Sequence, residues 1–217
     1  MTETLHIEIP DRGTVTALRT PPAGASNGWQ FVYAPGAGSS IKDAFGQYAA
    51  TQLSDRGLTV VQFVFPYMGA GKRRPDQNGV LEATWLAIIE ELRADRTRMV
   101  VGGRSMGGRI ASQVVAQGAE VDALALFAYP LRPPWNRAQE RDLHFPNIAC
   151  PTLFCSGTRD TFATPEELLA AASGVPQSEV RLLDGADHGF GTLKSSGRTR
   201  QDVWDETIEA LLSWLPG

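Results

Sequence analysis

The sequence predicts an α/β fold in which a mostly parallel sheet of about eight strands carries helices on both faces. Apolar runs of strand length alternate with helical periods along most of the chain. These runs are nearly continuous in Val, Leu and Phe, which is typical of parallel strands covered on both faces. The chain begins with two alternating runs around a turn, which predicts an N-terminal antiparallel hairpin.

The predicted elements follow one another without an internal repeat. The hairpin joins Leu5–Ile9 to Thr14–Leu18 through the turn residues Asp11, Arg12 and Gly13. The later strands are expected at Gln30–Ala34, Leu58–Phe65, Met99–Val101, Val121–Ala128, Pro151–Cys155 and Val180–Leu183. Apolar residues recur at helical spacing in the stretches 41–53, 81–92 and 204–215, which predicts helices whose apolar stripes are core.

Composition limits the class of protein. A chain of 217 residues can bury one substantial core, and we expect a single domain over residues 1–217. Hydrophobic residues make up 42% and charged residues 20% of the chain, and the mean hydropathy is −0.17, as in a globular protein. The net charge of −4 and the absence of a long basic run argue against a nucleic-acid partner. The sequence does not indicate an oligomeric state.

The N-terminus and the cysteines bear on location. No apolar stretch has the length of a membrane span, and the N-terminus is acidic where a signal peptide would be basic. We therefore expect no membrane association. Cys150 and Cys155 are poorly spaced for a bridge within or beside a strand, so free thiols are expected. A reducing cytoplasm fits both observations.

A glycine-flanked serine follows one of the predicted strands. Ser105 lies between Gly103 and Gly107, after an apolar run and before an amphipathic stretch. A serine at a sharp strand-to-helix turn has a strained backbone, and side chains two residues away on either side would clash there. The next amides and the helix start would face negative charge that develops on an attacked carbonyl. The pattern predicts a nucleophile, although a phosphate-binding or purely structural turn can have a similar sequence.

A serine nucleophile needs a base, and the chain has three histidines. His6 lies in the hairpin, and His144 lies in a connection that contains proline. His188 belongs to the glycine-rich loop Asp184–Phe190, directly after the last predicted strand. Because the carboxyl ends of parallel strands lie at one edge of a sheet, His188 is the predicted base.

The base in turn needs a carboxylate that orients it. Asp160 lies at the carboxyl end of the preceding strand and gives the chain order Ser, Asp, His. Asp187 is a rival, but as the neighbour of His188 it is poorly placed to reach the correct ring nitrogen and fits a capping role better. Asp184 is an intermediate alternative.

An oxyanion hole requires two amide donors near the nucleophile. The amide of Met106 follows the serine, and a second donor is expected from the loop Ala34–Ser40 after the third strand. In that loop the glycines allow close backbone approach to a substrate. We favour Ala37 as the donor and Gly38 as the alternative.

The remaining glycine-rich segments do not match cofactor motifs. The segment Gly36–Ile41 lacks the third glycine of a dinucleotide fingerprint, and Gly69–Arg73 lacks the first glycine and the Ser/Thr of a phosphate-binding loop. No His, Cys or carboxylate pair has a convincing metal-ligand spacing. The sequence therefore predicts neither a cofactor nor a metal.

These motifs together resemble the small α/β-hydrolases without a lid that are related to the dienelactone hydrolases. The resemblance rests on Ala-Pro-Gly-Ala-Gly, Gly-Gly-Arg-Ser-Met-Gly-Gly-Arg, Ser-Gly-Thr-Arg-Asp and Ala-Asp-His-Gly-Phe, and it extends from about residue 28 onward. It implies an α/β-hydrolase fold, and the segment Leu131–Ile148 at the usual lid position is too short for a cap domain. Dienelactone hydrolases use a cysteine where Ser105 stands, so their specific reaction is not carried over.

The resemblance implies two functions. The first is a serine-dependent hydrolase of a small soluble ester, thioester or lactone, with Ser105, Asp160 and His188 as catalytic residues. The alternative is a binding or scaffold protein, because eukaryotic relatives include a scaffold subunit of a chromatin acetyltransferase complex. Pro35 stands where the family often has His before Gly, and it is the feature that permits this second function.

Loop position predicts the walls of the substrate pocket, because ligands of open α/β sheets lie beyond the carboxyl ends of the strands. The expected lining residues are Arg104, Tyr67, Met68, Phe162 and Phe190, with Trp135 as a further candidate. Arg104 either favours an acidic acyl chain or forms a salt bridge with a neighbouring carboxylate.

Overall fold

The computed structural model describes residues 1–95 and 97–215, and it has an eight-stranded sheet of order β1-β2-β4-β3-β5-β6-β7-β8. The strands are β1 Glu3–Ile9, β2 Gly13–Thr20, β3 Trp29–Ala34, β4 Thr59–Phe63, β5 Arg98–Arg104, β6 Ala123–Phe127, β7 Thr152–Gly157 and β8 Ser178–Leu183. Strands β1, β2 and β4 pair antiparallel, and all other neighbours pair parallel. The predicted hairpin and the mostly parallel sheet are confirmed.

Helices cover both faces of the sheet. They are α1 Ala44–Ser54, the single turn α2 Pro66–Gly69, α3 Asn78–Arg93, α4 Met106–Ala116, α5 Pro165–Ala172 and α6 Arg200–Trp214. Helices α1 and α6 pack on one face, and α3, α4 and α5 pack on the other. Alternate residues of β3 point to opposite faces of the sheet. Phe31 and Tyr33 pack in the core under α1 and α6, and Val32 packs in the core under α3, α4 and α5.

The segment between β6 and β7 has no cap domain. In its described residues 131–148 the regular structure is one helical turn, Phe145–Asn147. Phe145 is buried and packs on Tyr129 and Phe154, with ring centroids 5.2 and 5.5 Å away. The connection is therefore anchored to the sheet, and the expected fold without a lid is confirmed.

Two smaller features complete the fold. Cys150 and Cys155 are free thiols, the first half-buried and the second buried. Across the part of the chain that the structure describes, no helix combines the length and the apolar character needed to cross a membrane.

Candidate active site

Ser105 occupies a strained turn between β5 and α4. Its φ of 52° and ψ of −116° lie outside the regions that a non-glycine residue normally adopts. The surrounding structure holds this turn, because the Ser105 N–H donates to Phe127 O at 2.8 Å and Ser105 O accepts from the Arg109 N–H at 3.0 Å. The turn lifts the serine side chain above the edge of the sheet.

The two glycines that flank Ser105 are required because the backbone of β3 lies very close to both positions. A Cβ at Gly103 or at Gly107 would lie 2.1 Å from the carbonyl oxygen of Ala34. Any side chain at either position would therefore collide with the backbone of the neighbouring strand. The sequence pattern Gly-x-Ser-x-Gly thus reflects the close packing of β5 and α4 against the end of β3.

The structure brings Ser105, His188 and Asp160 together at the carboxyl ends of β5, β8 and β7. His188 Nε2 lies 2.9 Å from Ser105 Oγ. His188 Nδ1 lies 2.9 Å from Asp160 Oδ2 and 3.0 Å from Oδ1. This continuous hydrogen-bonded chain from carboxylate to hydroxyl is the geometry that a serine nucleophile requires.

Asp160 is buried and oriented by its own segment. Its Oδ1 accepts from the Phe162 N–H at 2.8 Å, and its Oδ2 accepts from the Ser156 hydroxyl at 3.3 Å. With only donors around it, an ionised carboxylate accepts the Nδ1 proton of His188, so the Nε2 lone pair faces the serine. The Phe162 ring stacks on the imidazole at 4.0 Å between centroids, which fixes the plane of the ring.

The rival aspartates serve other contacts. Asp187 Oδ1 accepts from the N–H groups of Gly189 and Gly191, each at 2.8 Å, and so it closes the loop that carries His188. Asp184 is exposed, and its backbone oxygen accepts from Arg198 at 2.7 Å. Among the described carboxylates, Asp160 is the one recorded within hydrogen-bond distance of the imidazole.

The predicted amide donors border the nucleophile. Gly36 lies so close that a Cβ there would be 3.5 Å from Ser105 Cβ. Gly36, Ala37 and Met106 line the same cleft as Ser105, whereas Gly38 does not. The Met106 N–H lies in the first turn of α4, where amides have no partner within the helix. The Ala37 N–H makes no hydrogen bond to any described residue.

A cleft of about 640 Å³ lies over the serine. Two of the predicted lining residues, Arg104 and Phe162, belong to its wall together with Trp135. The wall also contains residues that were not predicted from the sequence. They are Pro75, Asp76, Asn78, Leu81, Arg109, Pro130, Arg141 and Gly189.

Three of the predicted lining residues do not border the cleft. Phe190 is completely buried and packs edge-on against Phe45 of α1, with centroids 5.3 Å apart. Tyr67 is buried in the opposite core layer, and Met68 packs partly buried against the same layer. All three follow a strand end, but tertiary packing turns their side chains into the core, where aromatic and thioether groups bury the most apolar area.

The salt-bridge alternative for Arg104 is the one observed. Its guanidinium lies 3.5 Å from Asp43 Oδ1. Asp43 is nearly buried and also accepts from the Tyr33 hydroxyl at 2.7 Å, the Ser39 hydroxyl at 2.9 Å and the Gly46 N–H at 2.8 Å. Arg104 still borders the cleft, but its charge is balanced by a fixed carboxylate.

A second serine–histidine pair joins α4 to the connection between β6 and β7. His144 Nε2 is 2.8 Å from Ser112 Oγ, whose hydroxyl donates to Arg109 O at 2.8 Å. Ser112 therefore accepts from a protonated Nε2, which is the reverse of the arrangement at Ser105. Burial, and after it the charge of Arg109, lowers the pKa of His144 to about 4. This histidine is thus a neutral structural donor.

We expect His144 to make stability depend on pH. Its folded-state pKa of about 4 is below the ordinary 6.5, so the unfolded chain takes up the proton first as the pH falls. The stability that depends on neutral His144 is fully present above the unfolded-state pKa and is lost as the pH falls toward the folded-state pKa. Because solvent screens this half-buried group, we expect the loss to be about 2 kcal/mol or less. Urea unfolding at about pH 7 and about pH 4.5 should show a smaller pH effect in His144→Gln.

The matched control is His6→Gln, because His6 is exposed on β1. This variant should keep the pH dependence of the wild type. Equal pH dependence in the wild type and in His144→Gln would contradict the assigned protonation state.

Metal ligation is a separate question at this site. Within residues 1–95 and 97–215, no group of three or more His, Cys, Asp or Glu side chains is arranged to hold a metal ion.

Fold and site together define a lidless α/β-hydrolase with a serine–histidine–aspartate arrangement. The family profile described as an alpha/beta hydrolase domain matches residues 27–216, and the chain belongs to this family. No curated protein sequence matches the chain.

Solved structures of low sequence identity share the fold. A lidless α/β serine hydrolase from Xanthomonas campestris is 20% identical with a TM-score of 0.77, over 100% of this chain and 96% of that one. An α/β serine hydrolase homologue from Coxiella burnetii is 20% identical with a TM-score of 0.79, over 96% and 97%. A dienelactone hydrolase from Anabaena variabilis is 18% identical with a TM-score of 0.77, over 100% and 99%. The expected kinship with this lidless group is confirmed at the level of fold.

Proposed function

We propose that the protein is a serine hydrolase that cleaves a small carboxylic ester, thioester or lactone through an acyl-enzyme. The observation that carries the proposal is the 2.9 Å contact between His188 Nε2 and Ser105 Oγ at the floor of a cleft. A purely structural serine would need neither an oriented base nor an open cleft above its hydroxyl.

The first half of the reaction acylates the serine. His188 Nε2 takes the Ser105 proton while Oγ attacks the substrate carbonyl, and Asp160 stabilises the imidazolium that forms. The amides of Met106 and Ala37 donate to the oxyanion. His188 then returns the proton to the leaving alcohol or thiol as its bond to the acyl carbon breaks.

The second half releases the acid. Water enters the cleft, loses a proton to His188 Nε2 and attacks the acyl carbon. The bond from carbon to Oγ breaks, and the proton passes to Ser105. The enzyme is regenerated, and one ester and one water give one acid and one alcohol.

A fluorophosphonate probe tests the proposal directly, because it modifies only an activated serine. We expect stoichiometric labelling of the wild type and none of Ser105→Ala. Ser112→Ala is the matched control, since Ser112 also contacts a histidine but is completely buried. Labelling that is absent from the wild type, or that persists in Ser105→Ala, would refute the proposal.

The volume of the cleft lies within the range of small-molecule pockets, which supports the predicted small-molecule substrate. The scaffold alternative depended on Pro35 disturbing the donor loop, yet Gly36 and Ala37 lie beside Ser105. This proximity supports the enzyme. We also propose a cytoplasmic location, which the free thiols support.

A further inference from the structure

The wall of the cleft carries an excess of positive charge. Arg104, Arg109 and Arg141 all line it, against the single carboxylate of Asp76. The Asp76 Oδ2 accepts from the Tyr67 N–H at 3.0 Å and so holds the adjoining loop. Since the protein as a whole carries a net charge of −4, this local excess is a property of the site rather than of the surface in general.

Two of these three arginines form no salt bridge with a carboxylate of the described residues. Arg104 is balanced by Asp43, but no described carboxylate lies within ion-pair distance of Arg109 or Arg141. Arg109 donates to neutral oxygens of Asn78 at 3.4 Å and Gln113 at 3.2 Å. Arg141 donates to Pro130 O and to Gln139 Oε1, each at 3.2 Å.

Both guanidinium groups are partly desolvated. Burial lowers the pKa of Arg109, and burial followed by the nearby charge of Arg109 lowers the pKa of Arg141. Arginine nonetheless stays protonated, so the two cations repel each other beside the cleft. A carboxylate between them would gain charge-assisted hydrogen bonds and would relieve this repulsion.

The neighbouring structure holds both groups in place. Arg109 lies on α4 one turn after Ser105, roughly 6 Å along the helix axis. The buried Tyr129 donates its hydroxyl proton to Arg141 O and so fixes that part of the connection. Trp135 and Phe162 add an aromatic part to the wall, with centroids 5.7 Å apart.

We propose that Arg109 and Arg141 form an anion subsite that selects esters bearing a carboxylate close to the scissile bond. This inference rests on the proposed hydrolase function and specifies its substrate class. Arg104, which borders the same cleft, contributes less because Asp43 neutralises it.

Matched esters test the subsite. One pair is para-nitrophenyl hemiadipate and its methyl ester, which differ in charge on the acyl side. The other is para-acetoxybenzoate and its methyl ester, which differ in charge on the leaving group. For at least one pair, we expect the wild type to prefer the anion by about tenfold or more in kcat/KM, mainly through KM.

Variants assign the preference to residues. Arg109→Gln and Arg141→Gln should each reduce the ratio of kcat/KM within that pair several-fold, and the double variant should bring it close to one. Arg181→Gln is the control, because Arg181 is an exposed arginine of β8 outside the cleft. It should keep the wild-type ratio.

Calorimetry with adipate and para-acetoxybenzoate on Ser105→Ala gives a readout that needs no turnover. Binding of either probe that is lost in Ser105→Ala/Arg109→Gln supports the subsite even if no ester is cleaved and only the proposed function fails. The subsite is overturned if cleavage proceeds with equal kcat/KM within both pairs, if the arginine variants leave the ratio unchanged, or if neither probe binds.

Discussion

Replacement of Asp160 by Asn is expected to lower kcat/KM for ester cleavage by about three to four orders of magnitude while the fold survives. Both Asp160 oxygens accept hydrogen bonds, and the His188 Nδ1 proton is among those they receive. An Asn amide would present N–H to Nδ1 and favour the other tautomer. The Nε2 proton would then face Ser105 Oγ, and the base would have no free lone pair. Steady-state kinetics with para-nitrophenyl acetate measures the loss.

The matched control is Asp187→Asn, which changes the carboxylate adjacent to the histidine in sequence. Asp187 Oδ1 accepts from both Gly189 and Gly191, and an Asn Oδ1 can accept the same two bonds. We therefore expect activity close to that of the wild type. A severe loss in Asp187→Asn, with activity retained in Asp160→Asn, would reverse the assignment of the acid. Urea unfolding of both variants separates a catalytic from a structural effect.

The sheet was predictable because its strands are marked by continuous apolar runs. The run Val121–Ala128 surrounds a strand observed at Ala123–Phe127. Both faces of such a strand are buried, so the signal does not depend on which way a side chain points. The candidate site follows from the same regularity, since Ser105, Asp160 and His188 each come shortly after a strand and parallel strands end at one edge.

Helix α5 shows a signal that hydrophobic periodicity misses. Its eight residues contain only two buried ones, Leu168 and Ala172, so no long apolar stripe exists. Its start is marked instead by a capping box between Thr164 and Glu167, with Pro165 in the first turn. Local capping chemistry therefore identifies short helices that burial patterns do not.

The cleft wall was the least predictable part of the site. Whether a loop side chain lines a cleft or anchors a core depends on contacts from distant segments, as Phe190 against Phe45 shows. Arg109 did carry a usable signal, because it follows Ser105 by one helical turn and shares its face. Arg141 carried none, since it reaches the cleft through a connection whose path is set by buried aromatic residues.

Gly107→Ala should cause severe structural damage at this site by adding a single methyl group. The new Cβ would lie 2.1 Å from Ala34 O, 2.6 Å from Ala34 C and 2.7 Å from Pro35 O. These are backbone atoms, so the contact cannot be relieved by a side-chain rotation. Either α4 or the loop after β3 has to move, and we expect a loss of about 3 kcal/mol in the free energy of unfolding.

The same displacement should disable the nucleophile in the molecules that remain folded. The loop after β3 carries Gly36 and Ala37, and α4 carries Met106, so either movement separates the two proposed oxyanion donors. A misplacement of about 1 Å costs roughly a hundredfold in rate, and fluorophosphonate labelling of the folded fraction should slow accordingly.

Gly79→Ala is the control for this substitution, because a Cβ at Gly79 in α3 meets no atom within 4 Å. It should leave labelling unchanged and leave stability equal or higher by about 0.5 kcal/mol, since alanine is the better helix former. If Gly107→Ala folds and labels as well as Gly79→Ala, the tight contact between α4 and β3 does not shape the nucleophile turn.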